Sequence, residues 1–150
     1  MHKSYLRSIL RHKWFVFIEA CRLGIPWLGI IHDLSKFSPR EFFTYARAKA
    51  IAGEGKSPVD IGASEMDRAW MHHARNRHHW QAWLVVYQTQ NPTPKALPMP
   101  DRYRREMLAD WRGAGRAYGS PDTRAWYAAN CDRMILHTDT RAWIEEQLQV

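Results

Sequence analysis

Apolar residues near the start of the chain recur at helical steps. Tyr5, Ile9, Val16, Ala20 and Leu23 fall on one stripe, and His12 stands in register with them. The spacing predicts an amphipathic helix from Ser4 to Arg22, ended by Gly24 ahead of Pro26. Trp27 to Phe37 reads as a short second helix. At Ser38-Pro39-Arg40-Glu41 a serine, a proline and an acid occupy the N-cap, first-turn and capping-box positions, predicting a third helix to about Ile51. The stretch GEGKSPVDIGAS reads as a loop closed by a second capping box, Ser64 to Asp67, with helices over 65–75 and 78–88 beyond it. Pro92, Pro94, Pro98 and Pro100 exclude a helix interior between them. A helix is expected from Asp101 to Ala117, another from Ser120-Pro121 through Leu136, and a short last one opening at Asp139 or Thr140. Convincing period-two alternation and internal repeats are absent. The pattern predicts an all-α protein: a single compact helical domain of about six to seven helices over residues 1–150.

Composition narrows the class. The 150 residues are 45% hydrophobic and include eight Trp, six Tyr and five Phe, which argues against disorder. No apolar run approaches the roughly 18 residues needed to cross a bilayer, so no membrane partner is expected. Arg11, His12, Lys13 and Glu19 interrupt the N-terminal segment, which reads as the first helix of the mature domain rather than a leader. Cys21 and Cys131 stand far apart without CxxC spacing, which argues against a disulfide scaffold or thiolate zinc site and favours a reducing cytoplasm. The formal net charge of +7 draws in anions: nucleotides, other phosphate esters or nucleic acid. The oligomeric state is left open, a homodimer included.

The histidines carry the candidate chemistry. His32 sits beside Asp33; on a helix the two lie about 100° apart, within reach of one cation. Lys36, three residues beyond Asp33, returns to the same face. Imidazole and carboxylate together bind divalent ions, and a carboxylate bridges two. In the block HHARNRHH, His72 and His79 share a face if the helix continues, with Asn76 between them; a break near Asn76 brings His73 and His78 forward instead. The bland alternatives are plain. A lone histidine on an apolar stripe, such as His12, is usually a hydrogen-bonded core residue, and Asp33 with Lys36 could form a surface pair. Ile30, Ile31 and Leu34 around the pair argue against full exposure.

An early histidine, an HD dipeptide, middle histidines and a late aspartate occur here in the order of the HD-domain superfamily of metal-dependent phosphohydrolases, which this chain resembles. HDLSK is similar to the HDxxK form of members that cleave cyclic dinucleotides, where the lysine contacts phosphate. HDLSKFSPREF, HHARNRHHW and EMLADW together resemble a family of HD-like proteins common in phage genomes, over roughly residues 10 to 145. A cytoplasmic location in a bacterial host follows if the chain is phage-encoded.

The resemblance implies His12, His32, Asp33 and Asp110 as core ligands, with Asp132 and Asp139 as substitutes for Asp110. It implies one or two divalent ions (Mn, Co, Mg, Zn or Fe), the second taking ligands from His72, His73, His78 and His79. In HD proteins paired histidines usually come from separate elements, so this compressed block departs from the pattern. The expected reaction is phosphohydrolysis of a nucleotide or related phosphate ester, with hydroxide attacking phosphorus. Asp33 would bridge the ions, Lys36 and one of Arg75 or Arg77 would stabilise phosphoryl charge, and Asn76 would orient substrate or a ligand. Trp70, Trp80 and Trp83 are candidates for stacking on a base.

Two alternatives come with this reading. HD-type diiron oxygenases use a similar ligand set, and Lys36 tips the balance to phosphate. A non-catalytic nucleic-acid or nucleotide-binding helical protein fits the charge, but the basic residues are dispersed rather than gathered in a tract.

Overall fold

The computed structural model describes residues 2–53 and 63–150, so most of the loop expected at 53–64 lies outside the described residues. Seven α-helices are present among them: α1 (His2–Arg22), α2 (Pro26–Ile31), α3 (Pro39–Gly53), α4 (Ala63–His73), α5 (Asp101–Tyr118), α6 (Thr123–Asn130) and α7 (Thr138–Leu148). The all-α expectation holds. Only two two-residue strands interrupt it, β1 (Leu84–Val85) and β2 (Lys95–Ala96), paired antiparallel with Leu84 opposite Ala96.

The framework is the pairing of α1 with α5. Val16, Ala20 and Ala109 form a fully buried seam between them, and Gly113 makes the close approach possible. A Cβ on Gly113 would stand 2.5 Å from Val16 Cγ2 and 2.7 Å from its backbone nitrogen. One turn before these residues on each helix lie His12 and Asp110, so the tight crossing presses that histidine against that aspartate. At the C-terminal end of α1, buried Glu19 accepts from Arg22 and from Arg116 of α5, each at 2.6 Å. The main apolar core, Met99, Met107, Leu108, Tyr127, Ile144 and Leu148, fills the space between α5 and the last two helices.

Several boundaries differ from those expected. The second helix stops at Ile31 rather than Phe37. His32 is extended (φ −50°, ψ 133°), Asp33 takes a left-handed conformation (φ 55°, ψ 27°), and Leu34–Phe37 forms a 3-10 turn. Lys13 of α1 helps fix this break, its ammonium donating to the carbonyls of Ile30 and His32. The helix expected over 78–88 is absent. Its place is taken by a 3-10 turn, Trp80–Trp83, and then β1; the run Leu84-Val85-Val86-Tyr87 favours extended backbone once the chain leaves the turn.

The helix expected to run through Leu136 ends at Asn130, followed by a 3-10 turn at Cys131–Arg133. Its cap is Asp122, which accepts from the Ala125 amide at 2.9 Å, rather than Ser120. Ser64 lies inside α4, so the second capping box does not begin that helix. Of the first box only half forms. Ser38 Oγ accepts from the Glu41 amide at 3.4 Å, but the Glu41 carboxylate does not return to Ser38. It is wholly buried and turned toward α4.

Candidate metal centre

Asp33 is the hub. Its left-handed backbone, which aspartate tolerates better than most residues, lets the chain change direction between two adjacent side chains. His32 and Asp33 therefore both point inward from a break in the helix; the 100° separation expected from helical geometry is not the device used. Asp33 is 3% exposed and His32 1%. The 3-10 turn keeps Lys36 near: its amide donates to the Asp33 carbonyl at 3.0 Å, and its ammonium lies 2.5 Å from Asp33 Oδ2.

The two oxygens of Asp33 face different groups. On the Oδ2 side, His12 Nε2 and His32 Nε2 each stand at 3.3 Å, and Asp110 Oδ1 closes the group at 3.1 Å from His12 and 3.4 Å from His32. On the Oδ1 side, His78 Nε2 lies at 3.4 Å and His73 Nε2 at 3.7 Å, with His79 Nε2 2.9 Å from His73 Nε2. In each set of four the ligand atoms lie within 4.8 Å of one another. These buried histidine and aspartate groups can hold a metal ion, and the Asp33 carboxylate is common to both sets.

Unmet hydrogen bonding tests the fit. His12 Nε2, His32 Nε2, His78 Nε2 and Asp33 Oδ1 are buried without a hydrogen-bond partner, and Asp33 Oδ2 has the Lys36 ammonium at 2.5 Å. Buried polar atoms are nearly always satisfied, and several of the unsatisfied ones here converge on Asp33; His12 Nδ1, the Tyr45 and Thr123 hydroxyls and Gln81 Oε1 are without a partner too. The outward nitrogens of His32, His73 and His78 are used, whereas that of His12 has no partner. Glu106 Oε1 accepts from His32 Nδ1 at 3.1 Å and sits 3.3 Å from His78 Nδ1. Glu41 lies 3.0 Å from His73 Nδ1 and 2.6 Å from His72 Nδ1. A carboxylate on Nδ1 fixes the tautomer that leaves Nε2 free to ligate. For that reason the third group of possible ligands, His32, His78 and Glu106, reads as support for the other two.

Electrostatics follow from this crowding. Burial pushes the His32 imidazole down, but Asp33, Asp110 and Glu106 more than reverse this and raise it well above its ordinary value. Burial likewise opposes charge on Asp33, yet His32, Lys36 and His12 hold its carboxyl well below the usual range. Asp110 is held well below it by His12 and His32, against its own burial. His79 differs: burial, then neighbouring His78, push it down to about 3, leaving a neutral imidazole.

Other expected site residues lie elsewhere. The chain breaks after His73, so His73, His78 and His79 come together, whereas His72 is turned onto Glu41 and is absent from the ligand groups. Arg75 and Arg77 are exposed and line neither cavity beside the cluster; Arg77 donates to the Tyr103 hydroxyl. Asn76 donates to Ser35 Oγ at 2.8 Å, bracing the turn after His73 against the turn after Asp33. Asp132 and Asp139 are exposed and stand outside the ligand groups, so Asp110 alone of the three joins the cluster. Trp70 and Trp80 line a cavity beside the cluster, while Trp83 packs on Tyr103 and donates to the Arg77 carbonyl.

Glu106 and Glu41 were not anticipated. Glu106 is one helical turn before Asp110 on α5, a spacing that could have flagged it; Glu41 was absorbed by its reading as a capping acid.

Fold and site together define an all-α protein with a buried histidine–carboxylate centre suited to metal. The chain belongs to a family of unknown function, DUF5662, whose model matches residues 1–150. No curated protein and no solved structure matches it. None of the described helices is long and apolar enough to cross a membrane.

Proposed function

We propose that this protein is a metal-dependent phosphohydrolase of the HD type, acting on a nucleotide or related phosphate ester. The observation that carries the reading is the sharing of Asp33 between two groups of candidate ligand atoms, with the Lys36 ammonium beside them. His12, His32, Asp33 and Asp110 would hold one divalent ion, and Asp33, His73, His78 and His79 the second. Such ions supply Lewis acidity, lowering the pKa of a coordinated water and polarising a phosphoryl oxygen.

The chain's own residues do the rest. Glu106 and Glu41 hold the imidazoles with Nε2 inward. Lys36 also lines a cavity of about 310 Å³ with Tyr5, His12, Tyr45, His73 and Tyr118. From there its ammonium neutralises charge on the non-bridging oxygens of a phosphoryl group. Lys36 is the reason for preferring phosphate chemistry to diiron oxygenation.

The test is metal analysis of the purified protein, followed by a phosphatase and phosphodiesterase screen with manganese, cobalt and magnesium. Phosphate release dependent on the added ion is expected, and Asp33→Asn, which keeps a residue tolerant of the left-handed backbone, should abolish it with helical content unchanged. Asp33→Ala should do the same with some loss of stability. Oxygen consumption by an iron-loaded protein that releases no phosphate from any substrate would sink the reading.

A further inference from the structure

A second cavity, about 300 Å³, opens on the other side of the metal cluster. Asp110, His78 and His79 form part of its lining, so whatever fills it lies against the metal ligands. Its remaining walls are unusual. Trp70, Trp80, Trp111 and Trp126 contribute indoles, with the Trp111 and Trp126 rings 5.2 Å apart and tilted by 54°. Trp70 is 46% exposed and Trp126 40%.

The polar groups among these indoles are few: Gln81, Asn130 and Arg133. Gln81 Oε1 is buried without a hydrogen-bond partner, so the protein does not itself use the amide's accepting capacity. An uncharged donor–acceptor group among indoles suits a flat ring with a hydrogen-bonding edge, and the exposed guanidinium of Arg133 suits an anion or a ring face.

We infer that this cavity is a nucleobase subsite: indoles stack on the base, the Gln81 amide reads its edge, and the attached sugar phosphate extends towards the metal centre. The inference rests on the phosphohydrolase reading for the role of the phosphate, and on the cavity alone for the base. It narrows the substrate class from phosphate esters in general to nucleotides.

Binding separates the two. Adenosine, guanosine, cytidine and uridine, each without phosphate, are titrated into the full-length protein by calorimetry, with the indole N–H resonances followed by NMR. Manganese is titrated separately. At least one nucleoside is expected to bind saturably and shift indole signals. Trp126→Ala should weaken that binding ~10-fold, in line with one lost stacking contact, without changing manganese uptake or binding of ribose 5-phosphate. Gln81→Leu should level the preference among the four nucleosides.

If none of the four binds at millimolar concentration, or if Trp126→Ala binds as tightly as the parent, the subsite is refuted whatever the metal result. Nucleoside binding by a protein that takes up no metal would instead uphold the subsite and remove the phosphohydrolase.

Discussion

Glu106 Oε1 lies 3.1 Å from His32 Nδ1, deep in the protein and on the side of the ring away from Asp33. The same oxygen stands 3.3 Å from His78 Nδ1. One carboxylate therefore positions a histidine from each half of the centre. Both rings must hold Nε2 inward for ligation, and Glu106 imposes this on both at once. Replacing Glu106 with Gln should weaken metal affinity by ~10- to 100-fold, the usual cost of losing a support behind a ligand, with helical content intact. Competition with a chelator of known affinity measures this. Unchanged affinity would reduce Glu106 to a packing residue.

Asp110 serves only the Oδ2 half of the cluster, whereas Asp33 serves both. If the proposed pair of ions is bound, Asp110→Ala should lower the metal content from two per chain to one, and Asp33→Asn should lower it further. Elemental analysis after gel filtration gives the stoichiometry directly; equal losses in the two variants would contradict a shared carboxylate.

At Gly113 an added Cβ would meet Val16 of α1, backbone included. Gly113→Ala must push Val16 away, and overpacking of this kind costs about 1–3 kcal/mol. Because His12 and Asp110 lie one turn away on the same two helices, metal affinity should fall with stability. Thermal unfolding and metal titration of the variant should move together, and a destabilised protein with unaltered affinity would argue that the crossing does not set the site.

The charge balance predicts a stability window for the metal-free protein. His32 is raised above its ordinary 6.5, so its contribution is complete below that value and is lost as pH rises through the raised one. Asp33 and Asp110 are depressed below 3.8, so theirs is present above 3.8 and lost as pH falls through the depressed values. In chelator these three contributions are complete together between 3.8 and 6.5, while His79, held down at about 3, takes stability away as pH falls below 6.5, so stability should be greatest near the upper end of that window and decline on either side. Added metal should reverse the alkaline trend, because ligation requires neutral imidazoles and releases their protons. Melting curves across pH, with and without manganese, check both signs.

Sequence alone determined that the chain is helical and where most helices begin, because apolar period and capping residues are written in short windows. That His12, His32, Asp33 and Asp110 are candidates for one site was implied by a resemblance in the order of motifs along the chain. Which middle histidines join the cluster was decided only in three dimensions. The α4 helix gives way after His73, the next residues form turns, and that break sends His72 to Glu41 while it brings His73, His78 and His79 to Asp33. Local propensity does not contain this, because the turn is held by Asn76 reaching Ser35 from a distant element. Glu41 shows the same limit from the other side. Its position after Ser38 suits a helix cap, yet two buried imidazoles offer its carboxylate stronger partners than a backbone amide, and tertiary packing settles the choice.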